Sequence, residues 1–152
     1  MKKGQLIKGI DHIDIAVKDV EEAITVFQKM GFELLHRTIH EGGAAELKLP
    51  GVNQPIFEFH PMGGRHRKGE YGLIHIAFLV DSAQETYDEL KAKDIPIPIA
   101  KGWKGPRFLK ESGRNMVDCE EMKDWGSFFL QFVEKGRKPP ITRQKGEPGI
   151  IH

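Results

Sequence analysis

One segment of this 152-residue chain occurs twice. Gly9 to Phe32 reads GIDHIDIAVKDVEEAITVFQKMGF, and Gly72 to Ile95, sixty-three positions later, reads GLIHIAFLVDSAQETYDELKAKDI, with no gap needed to superpose them. Each copy opens as a β-strand and continues as a helix. His12 falls on His75, Val17 on Val80, the helix-capping Asp19 on Ser82, Glu22 on Glu85 and Phe27 on Leu90. The match thus includes a cap, an apolar face and a polar position inside an apolar strand. A duplication of this kind restricts the fold to architectures built from two copies of one unit.

Alternation within each strand assigns its faces. Asp11, Ile13, Ile15 and Val17 share one side of the first strand, and Ile10, His12, Asp14 and Ala16 the other. In the second copy Ile74, Ile76, Phe78 and Val80 oppose Leu73, His75, Ala77 and Leu79. The more apolar face packs under the helix, so His12 and His75 point to the opposite side of the sheet. A lone histidine there reads as a hydrogen-bonded core residue; two at equivalent positions of a repeat favour a shared site.

The rest of each copy follows the same plan. Asp19 and Glu22 form a capping box, as do Ser82 and Glu85. Val20, Ala23, Ile24, Phe27 and Met30 recur at helical spacing, and Gly31 stops the first helix. Strands are predicted over Ile7 to Val17, Phe32 to His40, Ala44 to Leu49 after a turn at Glu41-Gly42-Gly43, and Pro55 to His60. In the second copy Pro96 and Pro98 confine the next strand to an edge or to an extended segment, residues 101–108 (KGWKGPRF) read as a loop, and Glu111-Ser112-Gly113 repeats the earlier turn. Ser127 to Val133 is the last strand, with Gln131 on the face of Phe129 and Val133. The expected divisions are a first module over 1–60, a connection over 61–71, a second module over 72–134 and a basic, Pro- and Gly-rich tail over 135–152. The connection carries Arg65, His66, Arg67 and Lys68, a local positive cluster able to meet an anion.

Composition narrows the function classes. Lys and Arg total 23 against 22 acidic residues, which gives no electrostatic footprint for nucleic acid or for a membrane surface. No apolar run approaches the roughly 20 residues of a membrane span, and the start MKKGQLIKGIDH is not a secretory signal, so a cytoplasmic location is expected. The single Cys119 forms no internal disulfide and reads as a buried thiol.

Four polar residues interrupt apolar strands at related places: His12 and His75 on the first strand of each unit, Glu58 and Gln131 on the last. A carboxylate such as Glu58 costs several kcal/mol inside an apolar strand unless its charge is compensated, the alternative being exposure on an edge strand. Two imidazoles, a carboxylate and an amide oxygen form a ligand set for a divalent ion of intermediate hardness, Zn, Co, Ni, Mn or Fe.

With these residues and the segments DHIDIAVKDVEEAI, EGGAAELKL, IFEFHP and GLIHIAFLVDS, the chain resembles the vicinal oxygen chelate superfamily over about residues 7 to 134, and within it the methylmalonyl-CoA epimerase type. The resemblance implies an α+β fold in which two tandem βαβββ modules form an open, cupped β-barrel with a metal site between the sheets. It implies His12, Glu58, His75 and Gln131 as metal ligands, although Gln131 stands where glyoxalases and epimerases usually present Glu. Glu41 matches a catalytic acid of those epimerases, and Glu111 is its counterpart across the pseudo-twofold; Asp14 is a weaker candidate base. Two bases on opposite faces suit an epimerase that removes a proton alpha to a carbonyl and returns it on the other side. The expected function is a metal-dependent isomerase acting through an enolate on an acyl-CoA such as methylmalonyl-CoA, with a glyoxalase I-type lyase and a ligand-sequestering resistance protein as alternatives. The expected partners are that small-molecule substrate and a second copy of the chain.

Overall fold

Both helices start where a side chain accepts from the first turn. Asp19 accepts a 3.0 Å hydrogen bond from Glu22 N, and Ser82 accepts one of 3.1 Å from Glu85 N. Each cap satisfies a backbone N–H left without an intrahelical partner. The first helix stops after Met30, and Gly31 then takes φ 103°, a left-handed conformation that glycine adopts without penalty.

The computed structural model describes residues 5–39, 42–61, 71–93, 107–109, 114–118 and 128–135. Its elements run β1 (Gly9–Ala16), α1 (Val20–Lys29), β2 (Glu33–Arg37), β3 (Ala45–Lys48), β4 (Ile56–His60), β5 (Gly72–Val80), α2 (Ala83–Ala92), β6 (Arg107–Leu109), β7 (Arg114–Asp118) and β8 (Phe129–Glu134). Strand, helix and three strands thus occur twice. The cationic cluster of the connection, Pro96, Pro98, Glu41, Glu111, Cys119 and most of the tail lie outside the described residues. The loop expected over 101–108 is corrected at its end, where Arg107 and Phe108 pair with Met116 and Asn115 in β6 and β7. Among the described residues no helix is long and apolar enough to cross a membrane.

The eight strands form one mixed sheet in the order β2-β3-β4-β1-β5-β8-β7-β6, open at both edges. Within each module the first strand runs parallel to the last, β1 to β4 and β5 to β8. The modules join by antiparallel pairing of β1 with β5, so the two curved sheets expected to face each other are the halves of one continuous surface. Each helix covers its own half. Under α1, Val20 and Ile24 pack with Ala45, Leu47 and Phe59. Under α2, Ala83 and Leu90 pack with Val80, Val117, Leu130 and Phe132. The opposite, concave face carries His12, Asp14, His75, Ala77 and Gln131.

Two irregularities interrupt the β1–β5 ladder. Ile10 pairs with Phe78 and His12 with Ala77, which leaves Asp11 as an extra residue; Asp14 pairs with His75 and Ile15 with Leu73, which leaves Ile74 as another. Asp11 and Ile74 are equivalent positions of the repeat, each just before its histidine. A bulge adds one residue and releases the chain from strict alternation, and this displacement changes what both residues meet. Ile74, expected under α2, packs with Ala16 and Phe129 instead. Asp11, expected under α1, lies 2.6 Å from Arg114 Nη2 on β7 and so ties the first module to the second.

Two outcomes test this account of the fold. Phe27 packs its ring against Phe32, Phe57 and Phe59 at centroid separations of 4.7, 5.6 and 4.8 Å, anchoring α1 to the sheet. Phe27→Ala should cost about 3 kcal/mol in urea unfolding, and a loss below about 1 kcal/mol would show that the aromatic cluster does not hold the helix. Burial pushes the Asp11 carboxyl up, but His12 and Arg114 outweigh it and hold the pKa at about 2, against an ordinary 3.8. A depressed carboxylate stabilises the fold above its unfolded pKa, and the contribution, here about 2 kcal/mol, disappears as pH falls through the folded value. The stability gap between wild type and Asp11→Asn should therefore close between about pH 4 and pH 2. A gap that stays constant over that interval would remove the pairing as its cause.

Candidate active site

Register builds the site. On the concave face a single row crosses five strands: His36 on β2 lies opposite Glu46 on β3, Glu46 opposite Glu58 on β4, Glu58 beside Asp14 on β1, and Asp14 opposite His75 on β5. Neighbouring strands are about 4.8 Å apart, so three carboxyl-bearing residues stand side by side with an imidazole at each end of the row. Such a row is tolerated only where positive charge or protons offset it. Glu58 is buried on an interior strand, which removes edge exposure as its explanation.

His12 and His75 meet at the centre. Their Nε2 atoms are 2.9 Å apart and their rings stand edge to face, with centroids 5.0 Å apart. Behind each ring is a carboxylate. Asp11 Oδ2 lies 2.7 Å from His12 Nδ1, and Asp14 Oδ2 lies 3.3 Å from His75 Nδ1. The other Asp14 oxygen is 2.6 Å from Nε2 of the fully buried His60. Burial pushes the Asp14 carboxyl up, yet the contact with His60 and the charges of His75, His60 and His12 together hold it below the ordinary carboxylate range. Asp14, a candidate base in the sequence, is a buried carboxylate between two imidazoles.

The donor chemistry fits a divalent ion. An ionised carboxylate only accepts, so the hydrogen bond between Asp11 and His12 favours hydrogen on His12 Nδ1 and turns a bare Nε2 toward His75, beside which Asp14 adds negative charge without a hydrogen bond. A bare His12 Nε2 at 2.9 Å from His75 Nε2 is met either by hydrogen on that second nitrogen or by a cation shared with it. Two nitrogen ligands at bonds of about 2.1 Å and a right angle would be about 3.0 Å apart, close to what is seen. Histidines that bind metals commonly carry a carboxylate on the other ring nitrogen.

The remaining expected ligands are not gathered to the same degree. Glu58 is next to Asp14 in the row, on the same face. Gln131 is on β8, level with Ala77 and hence with His12, and its Nε2 contacts Met116 Sδ at 3.5 Å. Among the described residues no three His, Cys, Asp or Glu side chains already form a cage.

Four contributors were missed in the sequence. His60 was available by alternation, two residues beyond Glu58 on the same face. Asp11 was hidden by the bulge, and Arg114 lies more than a hundred positions from the aspartate it meets. Glu46 reads as the polar half of an ordinary alternating strand until β3 is paired. Burial pushes its carboxyl up, Asp11 adds to the rise, and His36, His12 and Arg114 reduce it; the net result lies above the ordinary value. Its Oε1 is buried and has no hydrogen-bond partner among the described residues.

Known structures share this architecture. Methylmalonyl-CoA epimerase from Mycobacterium tuberculosis is 22% identical with a TM-score of 0.65, the match covering 90% of this chain and 93% of that one. A Streptomyces coelicolor methylmalonyl-CoA epimerase variant in complex with 2-nitronate-propionyl-CoA is 21% identical with a TM-score of 0.61, covering 85% of this chain and 98% of that one. A glyoxalase I variant from Zea mays gives 12% identity and a TM-score of 0.58 over 88% of this chain and 46% of that one. The uncharacterized protein YwbC of Bacillus subtilis (strain 168) is 28% identical over 131 residues, 82% of this chain and 98% of its own length. At these identities the solved structures carry the fold. Residues 9–117 match the sequence profile of the Glyoxalase/Bleomycin resistance protein/Dioxygenase superfamily, and with most of its length so matched the chain belongs to that superfamily.

Proposed function

We propose that this chain is a metal-dependent isomerase that moves a proton alpha to the carbonyl of an acyl-CoA thioester, methylmalonyl-CoA being the first candidate. The observation that carries the reading is the meeting of His12 Nε2 and His75 Nε2 at 2.9 Å, each ring backed by a carboxylate. His12 and His75 would hold the ion with Glu58 and Gln131. A bound divalent cation would supply positive charge against the enolate oxygen that develops as the proton leaves.

The chain's own residues supply the proton transfer. Glu46 occupies the concave face in the row of Glu58, and burial holds its carboxyl above the ordinary range. A base raised in this way lies closer to the pKa at which proton abstraction near neutral pH is efficient. We assign Glu46 the abstraction on this face. Glu41 and Glu111, outside the described residues, are retained as the other candidate bases. With Gln131 neutral, Glu58 is the only anionic ligand in the set, which leaves an ion there with a net charge near +1.

Deuterium uptake from heavy water tests the reading. The metal-loaded protein should exchange the alpha proton of methylmalonyl-CoA, and Glu46→Gln should lower the exchange rate by about a hundredfold or more while divalent-ion binding persists. Exchange confined to a hemithioacetal would move the assignment to a glyoxalase-type lyase. No exchange with either substrate class, by a protein that binds an acyl-CoA unchanged, would replace the enzyme with a sequestering protein.

A further inference from the structure

We propose that Asp11 is a positioning residue which fixes His12 in the Nδ1–H tautomer, while Asp14, on the same strand β1, sets the charge beside His75 of the other module. The geometry assigns each carboxylate its ring: Asp11 Oδ2 to His12 Nδ1 at 2.7 Å, Asp14 Oδ2 to His75 Nδ1 at 3.3 Å. The two reach their targets by different routes. Asp11 stands beside its own histidine because the bulge breaks the alternation, and Asp14 faces His75 because antiparallel register places them opposite one another. Each carboxylate is itself held by a second cation or donor. Arg114 Nη2 lies 2.6 Å from Asp11 Oδ1, and His60 Nε2 lies 2.6 Å from Asp14 Oδ1.

This arrangement is one continuous chain of contacts, Arg114–Asp11–His12–His75–Asp14–His60, crossing from the second module to the first, back into the second and again into the first. The repeat does not supply it. Positions 74 and 77, equivalent to Asp11 and Asp14, are Ile74 and Ala77, so β5 offers no carboxylate to either ring. His60 also acquires a purpose. At 0% exposure it serves no substrate directly, but it occupies one oxygen of Asp14 and leaves the other turned to His75.

The tautomer claim stands without the proposed function; only the metal-affinity arm of its test rests on that reading. Nitrogen-correlated imidazole NMR on metal-stripped protein at mildly alkaline pH should show His12 carrying hydrogen on Nδ1. Asp11→Ala should release His12 to a mixture of tautomers, and Asp14→Ala should leave the tautomer of His12 in place. Each variant should also weaken Co(II) binding, read from the visible spectrum, by about 10- to 100-fold. His60→Gln should keep the tautomer of His12 and most of the affinity. Should Asp14→Ala fail to fold, Asp11→Ala, on a side chain that is 20% exposed, still decides the matter for His12. A wild-type His12 ring carrying its hydrogen on Nε2, or variants that melt earlier but keep tautomers and affinity, would overturn the proposal. Tautomers that respond as stated in a wild type that takes up no divalent ion would support the positioning role and defeat the metal-dependent function instead.

Discussion

The antiparallel ladder between β1 and β5 is the contact on which the molecule depends. Each module taken alone is a four-stranded sheet with one helix on its back, and its first strand would be an unpaired edge. Pairing those two edges removes both liabilities, since an exposed strand edge invites association with other chains. It also brings the two histidines together. His12 and His75 are sixty-three residues apart in sequence, and only edge-to-edge union of the modules makes them neighbours. Fold completion and site formation are therefore one event.

The concave face carries the opposite problem. Glu46, Glu58 and Asp14 stand in one row on adjacent strands, and ionised together they would repel one another across a partly desolvated surface. The structure answers with imidazoles at both ends of the row and with His12 and His60 above and below it. Asp14 is surrounded closely enough that its charged form is favoured in spite of burial; Glu46, less well compensated, moves the other way. Two carboxyls a few strands apart are thereby given different proton affinities, which is how acid–base chemistry is divided among like groups.

The duplication, the helix caps and the alternation of β1, β5 and β8 were legible because each depends on local spacing. They place His12 and His75 on the side away from the helices without any knowledge of pairing, and mark Glu58 and Gln131 as polar residues in apolar strands whose side only the pairing of β4 and β8 assigns. What could not be read depends on register. A bulge shifts Asp11 from the face that period two assigns to it, and no local signal in DHID marks the extra residue. Glu46 and Glu58 are individually unremarkable acids in alternating strands; that they stand opposite one another emerges only when β3 meets β4. The side chain of Arg114 meets Asp11 from more than a hundred positions away in sequence. The role of Asp14 shifted for the same reason, because its partners lie on β4 and β5 and not on its own strand.

The bulge before each histidine survives in both copies of the repeat, but the residue it displaces does not. In the first copy the extra position holds a carboxylate, in the second an isoleucine that merges into an apolar cluster with Ala16 and Phe129. The halves have kept a common backbone while ceasing to be interchangeable. A protein assembled from two first halves would crowd four carboxylates behind its imidazole pair, and one assembled from two second halves would have none. Fusion into a single chain allowed the charge behind both rings to be set from one side, and any attempt to recover a symmetric version by design would have to choose how to divide it again.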